Sequence, residues 1–276
     1  MTERKNKKIE KLKNIARELR RDILKMIAKA GSGHPGGSLS ATDIGTALFF
    51  SEMKYDSNDP DWKERDRFIL SKGHAAPLLY ALLAKAGYFS GSELNKLRRY
   101  KSILQGHPAS YLVPGVEVST GSLGQGLSVA AGLALSAKQD EKDFRVFSLL
   151  GDGELNEGQI WEAIMFSGHN KLDNLCAIVD RNQLQIDGDT EKVMALEPLE
   201  EKWQSFNWNT ISINGHDFEE ILMAFEKFNQ NSDKPFVIIA KTVKGKGVSY
   251  MENKAGWHGK APNREQLEIA LKELEN

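Results

Sequence analysis

Short apolar runs, set apart by longer segments of helical spacing, constrain this fold more than any other feature of the chain. The runs fall at 67–70, 146–150, 175–180, 210–214 and 236–243, and several are apolar throughout instead of alternating. A run that is apolar on both sides belongs to a strand covered on both faces, as in parallel sheets. Between the runs, apolar spacing of three and four predicts helices at 41–52, 75–85, 125–138, 157–169 and 218–228, with a last one at 264–275. An amphipathic helix at about 8–29 precedes the first run, marked by Ile9, Leu12, Ile15, Leu19, Ile23 and Ile27. This alternation predicts an α/β, doubly wound, mainly parallel sheet with helices on both faces. Neither a repeat nor a linker-like change of composition divides the chain, so 1–276 reads as a single domain.

The chemistry gathers where one run ends. At "LLGDGELNEG", residues 149–158, an apolar run meets Gly151-Asp-Gly153 and then a helical pattern. Strand, Gly-rich turn and helix form the arrangement in which open α/β sheets bind phosphates at strand C-termini. A carboxylate beside a phosphate is repulsive unless a cation separates them, so Asp152 implies a divalent metal, with Mg2+ the best fit because it keeps few protein ligands and takes phosphate oxygens. Asn182, just past the run at 175–180, offers a neutral oxygen ligand from a neighbouring strand tip. A calcium loop is excluded, because Glu157 stands where that loop needs glycine and Ala163 where it needs a bidentate acid. Gly31-Ser-Gly33-His-Pro-Gly36 matches a dinucleotide pattern, but a helix precedes it and no strand-end acid follows.

Gly151-Asp-Gly153, followed at this spacing by Asp180-Arg-Asn182, resembles the diphosphate-binding motif of thiamine diphosphate enzymes. Within that superfamily several blocks resemble the N-terminal domain of transketolase: Ser32-Gly-His-Pro-Gly36, Ser71-Lys-Gly-His-Ala75, Gly106-His-Pro108, Gly121-Ser-Leu-Gly-Gln-Gly126, Lys241-Thr242 and Trp257-His-Gly259. They follow the family's order and span nearly the whole chain; deoxyxylulose-phosphate synthase is a poorer match at the first two.

The resemblance implies the thiamine diphosphate-binding fold, with thiamine diphosphate and Mg2+ (or Ca2+ or Mn2+) as cofactors. Asp152 and Asn182 would be the side-chain metal ligands and the carbonyl of Leu184 the third. Gly151 and Gly153 would let the backbone approach the diphosphate, aided by the positive end of the following helix. Gly121 would meet the aminopyrimidine with its carbonyl, and Leu123 would pack on that ring; the family often has proline where Ser122 stands. His74 and His258 would lie near the phosphates, His107 at the donor's C1 hydroxyl, and His34 with His258 at the C3 hydroxyl. His169 and His216 read as structural. Glu157 and Glu162 correspond to acids at the family's subunit interface.

Since the family's next domain carries the pyrimidine-side glutamate and most substrate phosphate contacts, the resemblance implies a split enzyme. This chain would be the N-terminal subunit of a transketolase that moves a two-carbon ketol unit between sugar phosphates. It would act only with a C-terminal partner chain carrying the pyrimidine-binding domain, as a self-associating dimer within a heterotetramer. The alternatives are a non-catalytic thiamine diphosphate-binding protein or one half of a related thiamine-dependent synthase. With a formal net charge of −1, the chain has no electrostatic reason to bind nucleic acid or an acidic membrane. The single cysteine, Cys176, lies within an apolar run, which fits a reducing cytoplasm.

Overall fold

A computed structural model describes residues 3–275. Five strands form one sheet: β1 (Arg67–Leu70), β2 (Val146–Gly151), β3 (Leu175–Arg181), β6 (Asn209–Asn214) and β7 (Phe236–Lys241). Their spatial order is β1-β2-β3-β7-β6, and every neighbouring pair is parallel. Two residue pairs, β4 (Leu184–Gln185) and β5 (Gly188–Asp189), make a small antiparallel hairpin beyond β3 that the apolar pattern does not foretell.

Alternate residues of each strand enter opposite cores. Phe147, Leu149, Cys176, Ile178 and Ile238 face a core that includes Leu19, Ile23 and Ile27 of α1 (Glu3–Ala30). Val146, Leu150, Ala177, Val179 and Ile239 face a second core with Leu127 of α5 (Gly126–Gln139) and Ile160 and Ile164 of α6 (Gly158–His169). Strands β2 and β3 are apolar on both sides because both sides are covered.

The first core also takes in helices α2 (Pro35–Ser40), α3 (Thr42–Ala47), α4 (Ala76–Ala86), α9 (Phe218–Asn229) and α10 (Arg264–Glu273). A short α7 (Thr190–Val193) follows the hairpin, and α8 (Leu199–Ser205) joins the second core through Trp203. There α6 comes so close to the end of α8 that a Cβ on Gly168 would sit 1.9 Å from the Phe206 carbonyl oxygen.

Several expected boundaries shift for physical reasons. The first helix runs from Glu3, because a solvated turn rich in Lys and Asn precedes its first buried residue, Ile9. The helix expected at 41–52 is α3 followed by one π-helical turn, Leu48–Glu52, with α2 as a separate turn before it. Every residue of α2 and α3 is buried, so no polar face marks where one ends. After Gly153 the chain makes a 3-10 turn, Gly153–Asn156, and α6 begins only at Gly158. The helix expected from Glu157 thus starts one residue later, with the 3-10 turn between it and Gly153.

Candidate active site

A parallel sheet brings all its strand C-termini to one edge, and here that edge is crowded with charge. After β1 comes Lys72, after β2 Asp152 and Glu154, near the end of β3 Asp180, Arg181 and Asn182, and after β7 Thr242 and Lys244. The ladder sets Gly151 beside Asp180 and Asp180 beside Ala240, so these groups share one level.

Asp180 is fully buried and anchors the cluster. Its carboxylate accepts from Lys72 Nζ at 2.5 Å, Ser40 Oγ at 2.6 Å and Asn182 Nδ2 at 3.1 Å, and from the Thr242 hydroxyl. Burial pushes its pKa up, but the Lys72 charge and these donors outweigh that and hold it below the usual carboxylate range. Asp152, also buried, differs. Its oxygens accept from Gly153 N at 2.8 Å, Gln183 N at 2.5 Å and Arg181 Nη1 at 3.2 Å. Burial and the nearby Asp180 charge nevertheless raise it. A carboxylate raised by burial and a like charge is suited to a bound cation.

Two protein oxygens stand with it. Asn182 Oδ1 accepts from Leu184 N at 3.1 Å, and the Leu184 carbonyl accepts from Lys244 Nζ at 2.9 Å. Burial first, then Lys72, lowers the Lys244 ammonium to about 8, against the pull of Asp152 and Asp180. The Leu184 carbonyl thus already faces a cation. Carboxylate, amide and carbonyl oxygens with few protein ligands match what Mg2+ takes, so these residues fit the metal.

Four histidines, each from a different loop or turn, complete the edge. Ring centroids lie 5.3 Å apart for His34–His74, 5.4 Å for His34–His258, 5.1 Å for His74–His258 and 6.5 Å for His34–His107. Burial, then neighbouring cations, lowers them all: His34 and His258 to about 4, His74 well below its ordinary value, and His107 downward. Burial thus favours the neutral ring in each. Nδ1 of His34 and of His258 are buried without a protein partner, as polar atoms awaiting a ligand would be.

The close approach of the loops depends on glycine. A Cβ on Gly73 would lie 2.6 Å from Gly121 N, and Gly121, at φ 155°, sits against the His107 ring.

These groups line a cleft of about 290 Å³ that includes His34, His74, Gly121, Leu123, Gly151, Asp152, Gly153, Asn182, Leu184 and His258. His107 is not among the lining residues; its ring lies 6.5 Å from that of His34 and against Gly121, both of which line the cleft. Glu157 and Glu162 do not enter the cleft; both are exposed, Glu157 as the residue before α6 and Glu162 on its face. A larger groove of about 700 Å³ between α1 and α9 is lined mainly by Lys, Arg and Glu and holds none of these groups. His169 is exposed and lies apart; His216 is tied to Asp43 and to Val243 N, both at 2.8 Å.

Sequence reasoning assigned no role to Lys72, Glu154, Asp180 or Lys244. Glu154 is buried and accepts from Ser71 Oγ at 2.5 Å and from Gly124 N and Gly151 N at 3.0 Å, which pins the Gly121–Gly126 turn to the tip of β2. Lys72 lies inside the Ser71–Ala75 block, and Lys244 lies three residues after Lys241, which is itself exposed. Their signal is position within Gly-rich strand ends.

Residues 10–274 match the family described as "Transketolase, thiamine diphosphate binding domain". The chain is 44% identical over 266 residues to one subunit of the apulose-4-phosphate transketolase of Phocaeicola vulgatus, covering 96% of this chain and 94% of that one. It is 45% identical over 264 residues to the 6-deoxy-6-sulfo-D-fructose transketolase subunit SqwG of a Clostridium species, covering 96% of each. Human transketolase is 43% identical over 271 residues, but the match takes in only 42% of that longer protein. The transketolase structure from Campylobacter jejuni superposes with a TM-score of 0.91 at 36% identity, over 96% of this chain and 42% of that one. The chain belongs to the transketolase family, within its thiamine diphosphate-binding domain.

Proposed function

We propose that this chain is the diphosphate-binding subunit of a two-chain transketolase that transfers a two-carbon ketol unit from a ketose phosphate to an aldose phosphate. The observation that carries this reading is the meeting of four histidines with Asp152, Asn182 and the Leu184 carbonyl at one end of the sheet. Both subunit-sized relatives are matched almost end to end, which supports a partner chain that brings the pyrimidine-binding half. Their names point to apulose 4-phosphate and 6-deoxy-6-sulfofructose as donors to be weighed beside xylulose 5-phosphate.

In this reading Asp152, Asn182 and Leu184 hold Mg2+, while Gly151 and Gly153 allow the diphosphate to approach the backbone. Lys72 and Lys244 bring ammonium groups to the floor of the cleft, where a dianionic group would meet them. His74 and His258 line the phosphate side, and Gly121 with Leu123 meets the aminopyrimidine. Thiamine diphosphate, when bound, supplies the electron sink that lets the bond beside a ketose carbonyl break. His107 holds the donor's C1 hydroxyl. His34 and His258 present neutral nitrogens that can take the C3 hydroxyl proton.

Self-association belongs to the same proposal. Val129 of α5 and Met165 and Phe166 of α6 are exposed apolar side chains, the last two one helical turn after Glu162.

Asp152→Ala, studied in the complex with whatever chain copurifies, should weaken Mg2+-dependent thiamine diphosphate binding at least about 100-fold by calorimetry, because the diphosphate loses its bridging cation. Unchanged affinity would refute the metal assignment. His107→Ala should lower kcat/KM for the ketose donor about 100-fold with cofactor affinity intact; parallel loss of both would remove it from the donor site. Phe166→Arg should turn the assembly into one with a single copy of this chain, read by light scattering, and an unchanged mass would place the interface elsewhere.

A further inference from the structure

Arg98 does not line the cofactor cleft, yet it is built into both loops that carry the donor-side histidines. Its backbone sits in the left-handed region at φ 58°, held by its own N–H donating to the Leu104 carbonyl at 2.8 Å. Few non-glycine residues adopt that conformation. The resulting bend lays the guanidinium flat on Gly106, where a Cβ would sit 3.0 Å from the guanidinium carbon. A side chain immediately before His107 would push the guanidinium off this seat. On its other side, Nη1 reaches Ser32 Oγ at 3.4 Å, two residues before His34. Among the described residues this hydroxyl is the only hydrogen-bond partner of the guanidinium, and no carboxylate pairs with it.

The other groups around the two imidazoles are accounted for. His34 is met by the rings of His74 and His258 and feels the Lys244 charge; His107 faces His34, and its carbonyl accepts from the Tyr80 hydroxyl at 3.0 Å. After burial, the Arg98 charge is the leading influence lowering both imidazoles. Diphosphate and sugar phosphate groups entering the site would pull the other way, toward imidazolium. An imidazolium cannot accept a hydroxyl proton. A guanidinium stays charged throughout, so its influence does not titrate away.

We infer that Arg98 is a positioning residue of the donor site, its guanidinium packed on Gly106 and reaching Ser32 so that it ties the His34 and His107 loops together and sets a charge that does not titrate near both imidazoles. The inference rests on the donor-site reading of these two histidines proposed above. Two substitutions separate its parts: Arg98→Gln removes the charge, and Arg98→Lys keeps it but cannot lie flat on Gly106.

The imidazole resonances of His34 and His107 in the full chain, followed by NMR against pH, should titrate at higher pH in Arg98→Gln and stay near wild type in Arg98→Lys. In the reconstituted two-chain enzyme, the acidic limb of the kcat/KM profile should move to higher pH in Arg98→Gln. Arg98→Lys should keep the wild-type pH profile with a raised donor KM. Unmoved resonances in Arg98→Gln, or equal displacement in both variants, would overturn the inference. Absence of ketol transfer by the wild-type complex would strike the proposed function instead, and the NMR titration would still decide the role of Arg98.

Discussion

The active-site edge depends on one buried ion pair. Lys72 and Asp180, each almost wholly excluded from solvent, meet at 2.5 Å, and through them β1, β3, β7 and α2 are tied at their ends. Lys72 also donates to the Gly37 carbonyl at 2.8 Å, while Asp180 takes the Ser40 and Thr242 hydroxyls. Removing one partner from such a pair costs about 3–5 kcal/mol, because the other is left buried and charged. Its value here is geometric. With Asp180 saturated by Lys72 and hydroxyls, Asp152 one strand away lines the cleft, together with Glu154 and Asp187.

A second buried network reaches the same edge from outside. Arg20 of α1 makes a two-pronged pair with Asp43 of α3, at 2.9 and 2.6 Å, and Asp43 also meets His216 Nδ1 at 2.8 Å. Burial would raise the Asp43 carboxyl, but Arg20 and His216 outweigh it and hold it at about 2. His216 Nε2 then accepts from Val243 N, between Thr242 on Asp180 and Lys244 on the Leu184 carbonyl. The loop after β7 is thereby fixed relative to the sheet from both sides. Rigid support of this kind keeps polar groups aimed before any ligand arrives.

The central strands were legible in the sequence because burial on both faces makes them continuous apolar runs; 146–150 and 175–180 lie within the strands observed. Helix limits in the same environment were not, since α2 and α3 have no solvated side to give them a period. The β4–β5 hairpin has two residues per strand, too few for any pattern. Asp152 and Asn182 stood out from their local setting at strand ends, Leu184 and the four histidines only through the resemblance to transketolase, and the cleft is lined by all of these except His107. Lys72, Glu154 and Lys244 were not, because isolated charges in loops ordinarily belong in water. Their partners lie far along the chain: Asp180 is 108 residues from Lys72, and Ser71 is 83 from Glu154. Only the folded sheet brings them together.

The account's central claim is that this chain supplies the metal, diphosphate and donor-hydroxyl half of a ketol-transferring site and needs a second chain to complete it. The most direct measurement is ketol transfer from xylulose 5-phosphate to ribose 5-phosphate with thiamine diphosphate and Mg2+, first with this chain alone and then with the protein that copurifies with it, repeated with apulose 4-phosphate and 6-deoxy-6-sulfofructose as donors. The account predicts negligible transfer alone and transfer from at least one of these donors once the partner is added. Full transfer by the isolated chain, or none from any donor by a complex that binds thiamine diphosphate, would contradict it.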